Sequence, residues 1–79
     1  MKELLNQQDA LLNAVRREGT QVTIYLISGL PLKGVIKGFD NFTIMLDSEG
    51  KQCMVYKHAV STITPQVRVN LLAEKERNQ

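Results

Sequence analysis

Leu32-Lys33-Gly34-Val35-Ile36-Lys37-Gly38-Phe39 decides how the rest of this chain is read. The segment has a strand's composition, yet glycine interrupts it twice. Glycine inside a strand marks a bend, a bulge or the close approach of another backbone, so the segment predicts a strongly curved strand. Asp40-Asn41 then turns the chain, and a strand is expected over 42–47 with Phe42, Ile44 and Leu46 on one side and Thr43 and Met45 on the other. Ser48-Glu49-Gly50 reads as a hairpin turn into a strand over 51–56, and a β-branched run over 60–64 stops at Pro65. Upstream, Val22, Ile24 and Leu26 alternate with Thr23, Tyr25 and Ile27 before a Ser28-Gly29 turn. Five short strands with tight turns and glycine bends imply a small, highly curved antiparallel sheet or open barrel.

Ahead of the strands, Leu5, Leu12 and Val15, with Leu11 beside them, fall at the spacing of one helical face, which predicts a helix over about 6–18. Asn6 is placed to cap it, Asp9 lies in its first turn, Arg16 and Arg17 in its last, and Gly19 fits a left-handed stop. The fold class is therefore mostly β with one N-terminal helix. Gln8, Asp9, Asn13, Arg16 and Arg17 occupy the polar side of that helix, whose plainest reading is a solvated face. Tyr25, Leu30 and Leu32 read either as a second core face or as an exposed stacking surface.

A chain of 79 residues makes one domain at most, and so small a core needs help from a disulfide, a metal or self-association. Cys53 is the only cysteine and His58 the only histidine, which excludes an intrachain disulfide and a Cys/His metal site. Self-association remains as the source of extra stability. No signal peptide or membrane-length apolar run is present, so a cytoplasmic protein is expected. A net charge of +2 is too small for a monomer to bind polyanions by charge alone.

The run from Gln52 to Val60 ends in Lys57-His58, which sets a cation beside an imidazole at a strand end. Such a tip suits a phosphate or a base edge, although a solvated turn is the commoner meaning of such a pair. A phosphate-binding glycine loop, a carboxylate pair and a nucleophile elbow are all lacking. Cys53 and His58 as a thiol and imidazole pair would point to opposite faces of an alternating strand, which argues against thiol chemistry. No enzyme and no cofactor are expected.

Arg16-Arg17-Glu18, Val22-Thr23-Ile24-Tyr25-Leu26, Gly29, Gly34, Gly38-Phe39-Asp40-Asn41-Phe42 and Tyr56-Lys57-His58-Ala59-Val60-Ser61-Thr62 together resemble the Hfq family, the bacterial Sm-like RNA chaperones. The likeness covers about residues 7–65, with one apparent extra residue near 48–50 relative to some members. It implies an Sm-like RNA-binding domain over 1–65, followed by a short flexible tail over 66–79. It also implies a homohexameric ring in which the fourth strand of one subunit pairs with the fifth strand of the next. Met54, Val55, Tyr56, Val60, Ser61 and Thr62 match the pairing edges.

The resemblance further implies three RNA surfaces that serve small regulatory RNA and mRNA, with RNA-processing proteins as further partners. Gln8, Asn41, Phe42, Lys57 and His58 match the uridine-rich site on the helix side. Tyr25, Gly29, Leu30, Leu32, Lys33 and Thr62 match the adenine-rich site on the opposite face, and Asn13, Arg16 and Arg17 match the rim that assists annealing. Gly19 stands where many members carry another rim arginine, which implies weaker annealing. Cys53 stands where members commonly carry a glutamine that helps read adenine, and Gln52 is expected to face the other way. Ser28 and Pro31 also depart from the usual turn residues, and the tail lacks the length that others use for autoregulation. The alternative is a structural Sm-like ring whose apolar face around Tyr25, Leu30 and Leu32 docks a protein.

Overall fold

The computed structural model describes residues 7–71. Helix α1 (Gln7–Glu18) precedes β1 (Gln21–Leu26), β2 (Pro31–Phe39), β3 (Thr43–Ser48) and β4 (Lys51–Tyr56); a 3-10 turn (Lys57–Ala59) then leads into β5 (Val60–Pro65). All five strands form one antiparallel sheet in the order β4-β3-β2-β1-β5. The expected capping by Asn6, the helical-face position of Leu5 and the terminal run 74–79 lie outside the described residues.

The C-terminal end of α1 follows from its sequence. Gly19 adopts φ 67°, the Thr20 amide donates to the Val15 carbonyl at 3.0 Å, and the Gly19 amide donates to Arg16 at 3.3 Å. This pair of bonds satisfies carbonyls that the last helical turn leaves open. Leu12 and Val15 point into the core, where they meet Val22, Ile24, Ile36, Ile44 and Leu46. Each such side chain contributes about 1.5–3 kcal/mol through burial. Ala10 and Ala14 are buried as well. Their small side chains carry little hydrophobic signal and suit a helix that lies close to the sheet.

The two glycines of β2 differ in what they do. A Cβ at Gly34 would lie 2.3 Å from the Asp47 carbonyl oxygen, so only glycine fits where the β3 backbone comes near. Gly38 has open space around it and follows a register shift after Ile36, where β2 bulges against β3. Bulge and close approach together bend the sheet around the core. Residues 66–71 then return along the body: the Gln66 amide donates to the Gln21 carbonyl at 2.8 Å and Val69 packs against the core.

Sheet order leaves β4 and β5 as the two edges, each hydrogen-bonded on one side only within the described protomer. Open edges of this kind invite pairing with another chain.

Candidate functional site

Asp40 builds the first part of the site. Its Oδ1 accepts hydrogen bonds from the Phe42 amide at 2.8 Å, the Thr43 amide at 2.7 Å and the Thr43 hydroxyl at 2.9 Å. These bonds, in that order and with the Lys57 charge adding to them, hold the Asp40 carboxyl below its ordinary pKa. They also correct the expected strand pattern. Phe42 does not join Ile44 and Leu46 on the core side, because Asp40 captures its amide and β3 begins only at Thr43. The Phe42 side chain is 75% exposed, with Asn41 exposed beside it.

Phe42 is also tied to the second part. Its carbonyl accepts from the Lys57 amide at 2.8 Å, which sets Asn41 and Phe42 against the turn that carries Lys57 and His58. His58 is exposed, and its ring stacks on Tyr56 with centroids 5.6 Å apart and planes 26° from parallel. Lys57 behaves otherwise. Rather than projecting from a strand end, its ammonium lies 2.9 Å from Asp9 Oδ1 and 5.3 Å from the centre of the Phe39 ring. The Lys57 and Asp9 side chains are only 12% and 23% exposed. Lys57 is a tie between α1 and the turn, and the freely presented groups are Phe42, Asn41 and His58. Gln8, next to Asp9 in α1, is exposed and lines a cavity of about 510 Å3 with Leu11, residues 60–63 and Leu71.

On the outer sheet face, Tyr25 stands between Pro31 of β2 and Thr62 of β5. The turn after β1 closes with the Gly29 amide donating to Leu26 at 2.8 Å and the Leu26 amide to Leu30 at 2.9 Å. Tyr25, Ile27 and Leu30 are exposed, but Leu32 is not their companion. It pairs with the buried Ile24 and packs on the core, so the apolar trio divides between surface and interior. Lys33 is exposed opposite Thr23. Cys53 faces Leu46 and packs on the core, whereas Gln52 is exposed. The Cys53 thiol meets the Lys51 carbonyl at 3.9 Å while His58 lies on Tyr56, so the two groups engage different neighbours.

At the end of α1, Arg16 donates to Asn13 and Arg17 lies 3.5 Å from Glu18. Along the edges, Met54 and Tyr56 of β4 are 55% and 52% exposed, and Ser61 and Thr62 of β5 are exposed. Val60 is half-buried. Val55 lies opposite Ile44 and is buried, so it offers an edge only its backbone.

Three residues that position the site were not read as site residues from the sequence. Asp40 had a local signal, an aspartate followed by an amide two residues on and a threonine three on. Asp9 and Phe39 had none, since their contact with Lys57 spans distant parts of the chain. Among the described residues, no cluster of three or more His, Cys, Asp and Glu side chains is placed to hold a metal ion. Nor is any helix among them long and apolar enough to cross a membrane.

Comparison with known proteins places this geometry. Residues 7–70 match the family model described as Hfq protein. The RNA-binding protein Hfq of Brevibacillus brevis is 56% identical over the whole of both chains. That of Carboxydothermus hydrogenoformans is 60% identical over 99% of this chain and 92% of its own. A crystal structure of the pleiotropic translational regulator Hfq superposes with a TM-score of 0.73 at 42% identity, covering 75% of this chain and 98% of that one. An Hfq protein from Anabaena sp., at 19% identity and a TM-score of 0.68, covers 75% and 95% and shares the fold. The helix followed by a bent five-stranded sheet is thus the Sm-like fold of these structures. A match running from the start of α1 past the end of β5, with relatives more than half identical along their full length, means that the chain belongs to the Hfq family.

Proposed function

We propose that this chain is the protomer of a homohexameric RNA chaperone that holds uridine-rich RNA on one face and adenine-rich RNA on the other. The observation that carries the reading is Phe42. An aromatic ring three-quarters exposed, on a backbone fixed from both sides by Asp40 and Lys57, is a rigid plate on which a base can stack. Asn41 and Gln8 supply amides that can read a base edge, and His58 supplies a planar ring with donor and acceptor capacity. Lys57 serves by orienting His58 and by lending positive potential.

Ring formation supplies what the protomer lacks. Pairing β4 of one copy with β5 of the next removes both open edges in a heterologous contact that closes on itself. It also repeats a weak site around an axis. Stacking is worth about 1–3 kcal/mol per base, so one copy binds feebly while several on one strand act at high effective concentration. On the outer face, Tyr25 with Gly29, Leu30, Lys33 and Thr62 offers the second stacking surface, to which Leu32 contributes from beneath. Arg16 and Arg17 form a basic rim where a small RNA and an mRNA can be drawn together.

Hfq proteins are RNA-binding proteins rather than enzymes, and the reading involves no covalent chemistry. It places the protein in the cytoplasm with its RNA partners. Anisotropy titrations with labelled oligouridylate and oligoadenylate test it directly: the protein takes both at once, Phe42→Ala loses the first and Tyr25→Ala the second. Failure to bind either probe contradicts it and favours a protein-docking ring.

A further inference from the structure

Residues 66–71 form an arm that lies beside α1. The arm is pinned where α1 hands over to β1, because the Gln66 amide donates to the Gln21 carbonyl at 2.8 Å. By Leu71 it has reached the other half of the helix, where Leu71 lines one cavity with Gln7, Gln8 and Leu11. Five residues of chain reach at most about 18 Å, and a helix of 12 residues is itself about 18 Å long. The arm therefore has little slack and lies along the helix rather than looping away from it.

Its side chains sort by partner. Val69 packs against the core and Leu71 is half-buried, whereas Gln66, Arg68 and Asn70 are exposed. Arg68 stands in the middle of that polar row, and among the described residues no hydrogen bond or ion pair engages its guanidinium. The cations at the end of α1 are more engaged: Arg17 lies 3.5 Å from Glu18, whose carboxylate offsets part of its charge, and Arg16 donates to Asn13. The other carboxylate of α1, Asp9, is taken up by Lys57, and the arm carries none. An exposed guanidinium on a tethered backbone suits a phosphate, which accepts two parallel N–H bonds from it. A protein partner finds little to anchor on, since Val67 is the only large apolar side chain exposed on the arm.

We propose that Arg68 is a phosphate contact for RNA, which widens the basic rim from the end of α1 onto the arm. The proposal rests on the rim described above and adds to it a residue from a different part of the chain. Arg16 and Arg17 meet the RNA backbone from the helix, and Arg68 meets it from beside the helix. A contact of this kind reads no base, so Arg68 adds affinity and salt dependence without sequence preference.

The test is a titration of a labelled RNA hairpin with a terminal uridine run, over a series of salt concentrations, with the uridine run alone as the control probe. The proteins are wild type, Arg68→Gln, Arg68→Lys and the double variant Arg16→Gln with Arg17→Gln. Arg68→Gln is expected to flatten the salt dependence for the hairpin by about 0.9 in slope for each phosphate it no longer neutralises, and to weaken the hairpin about three-fold or more. Binding of the uridine run alone, the particle mass and the thermal melt should stay as in wild type, because an exposed side chain without a partner holds nothing in place. Arg68→Lys keeps the charge and should keep the slope. Arg68→Gln that leaves hairpin affinity and slope unchanged, while the Arg16 and Arg17 variant changes both, overturns the contact alone. So does a loss that is equal for hairpin and uridine run, or that comes with an altered particle mass or melt, since Arg68 then acts through the structure. A hairpin that wild type binds no more tightly than the uridine run overturns the rim and the contact together.

Discussion

The Lys57 ammonium lies 2.9 Å from the Asp9 carboxylate, joining residues 48 positions apart and fastening α1 to the turn that presents His58. Both side chains are largely withdrawn from water, so removing one partner leaves the other charge poorly solvated. Asp9→Asn and Lys57→Gln are each expected to destabilise the protein by about 1–3 kcal/mol, less than a fully buried pair because water still reaches both. The double variant should lose less than the sum of the two. Urea unfolding of all four proteins measures the coupling, and strict additivity would mean that the pair holds nothing together. Both single variants should also weaken oligouridylate, although Asp9 is an anion near an anionic ligand.

Phe42→Ala separates binding from folding. A side chain this exposed contributes little to stability, so the unfolding midpoint should move by less than about 0.5 kcal/mol. Oligouridylate affinity should fall at least ten-fold, in line with about 1–3 kcal/mol for one stacked base. Unchanged affinity in anisotropy would remove Phe42 from the binding surface.

Asp40 links the site to pH. Its carboxyl is held below its ordinary pKa by three hydrogen bonds and the Lys57 charge. The unfolded chain binds a proton there more readily than the folded one, so stability rises with pH across this window. The contribution is complete above the unfolded value near about 4 and is lost as pH falls through the lower folded value. Asp40→Asn should be less stable than wild type at pH 7, and the gap should close toward pH 3 in thermal melts. A gap that stays constant with pH would show that the charge of Asp40 plays no part.

The two glycines of β2 make opposite predictions. Gly34→Ala drives a Cβ to 2.3 Å from a backbone carbonyl that no side-chain rotation relieves, so a loss of about 3 kcal/mol or more is expected. Gly38→Ala meets open space and should be neutral or stabilising by up to about 1 kcal/mol. Chemical denaturation of the pair decides, and equal losses would contradict the account of how the sheet bends.

At the tip of the hairpin between β3 and β4, Glu49 adopts φ 53° and Gly50 φ 81°. A two-residue turn with both residues at positive φ favours asparagine over glutamate at its first position. Glu49→Asn is therefore expected to stabilise by about 0.5–1 kcal/mol, read as a higher denaturation midpoint.

Much of this architecture was legible in the residues, because period and punctuation are local properties. Alternation in 22–27, the glycines of β2 and the stop at Gly19 each act over a few residues, and each appears where it was expected. Phe42 and Leu32 were harder for the same reason. Simple alternation put Phe42 on the same side as Ile44 and Leu46, but the Asp40 carboxylate takes its amide before the ladder begins. Leu32 seemed to belong with Tyr25 and Leu30, whereas pairing with Ile24 turns it inward. Ala10 and Ala14 gave too little hydrophobic signal to reveal their burial. The Lys57 tie was invisible because nothing near it in sequence announces Asp9 or Phe39. Tertiary contacts decided that Lys57 is held rather than free.

The central claim is that β4 of one copy meets β5 of the next until the chain of contacts closes. Sedimentation equilibrium at micromolar protein measures this without any ligand. The account predicts a single species of about six times the 8.9 kDa protomer, independent of concentration; a particle of one protomer's mass across that range would contradict it.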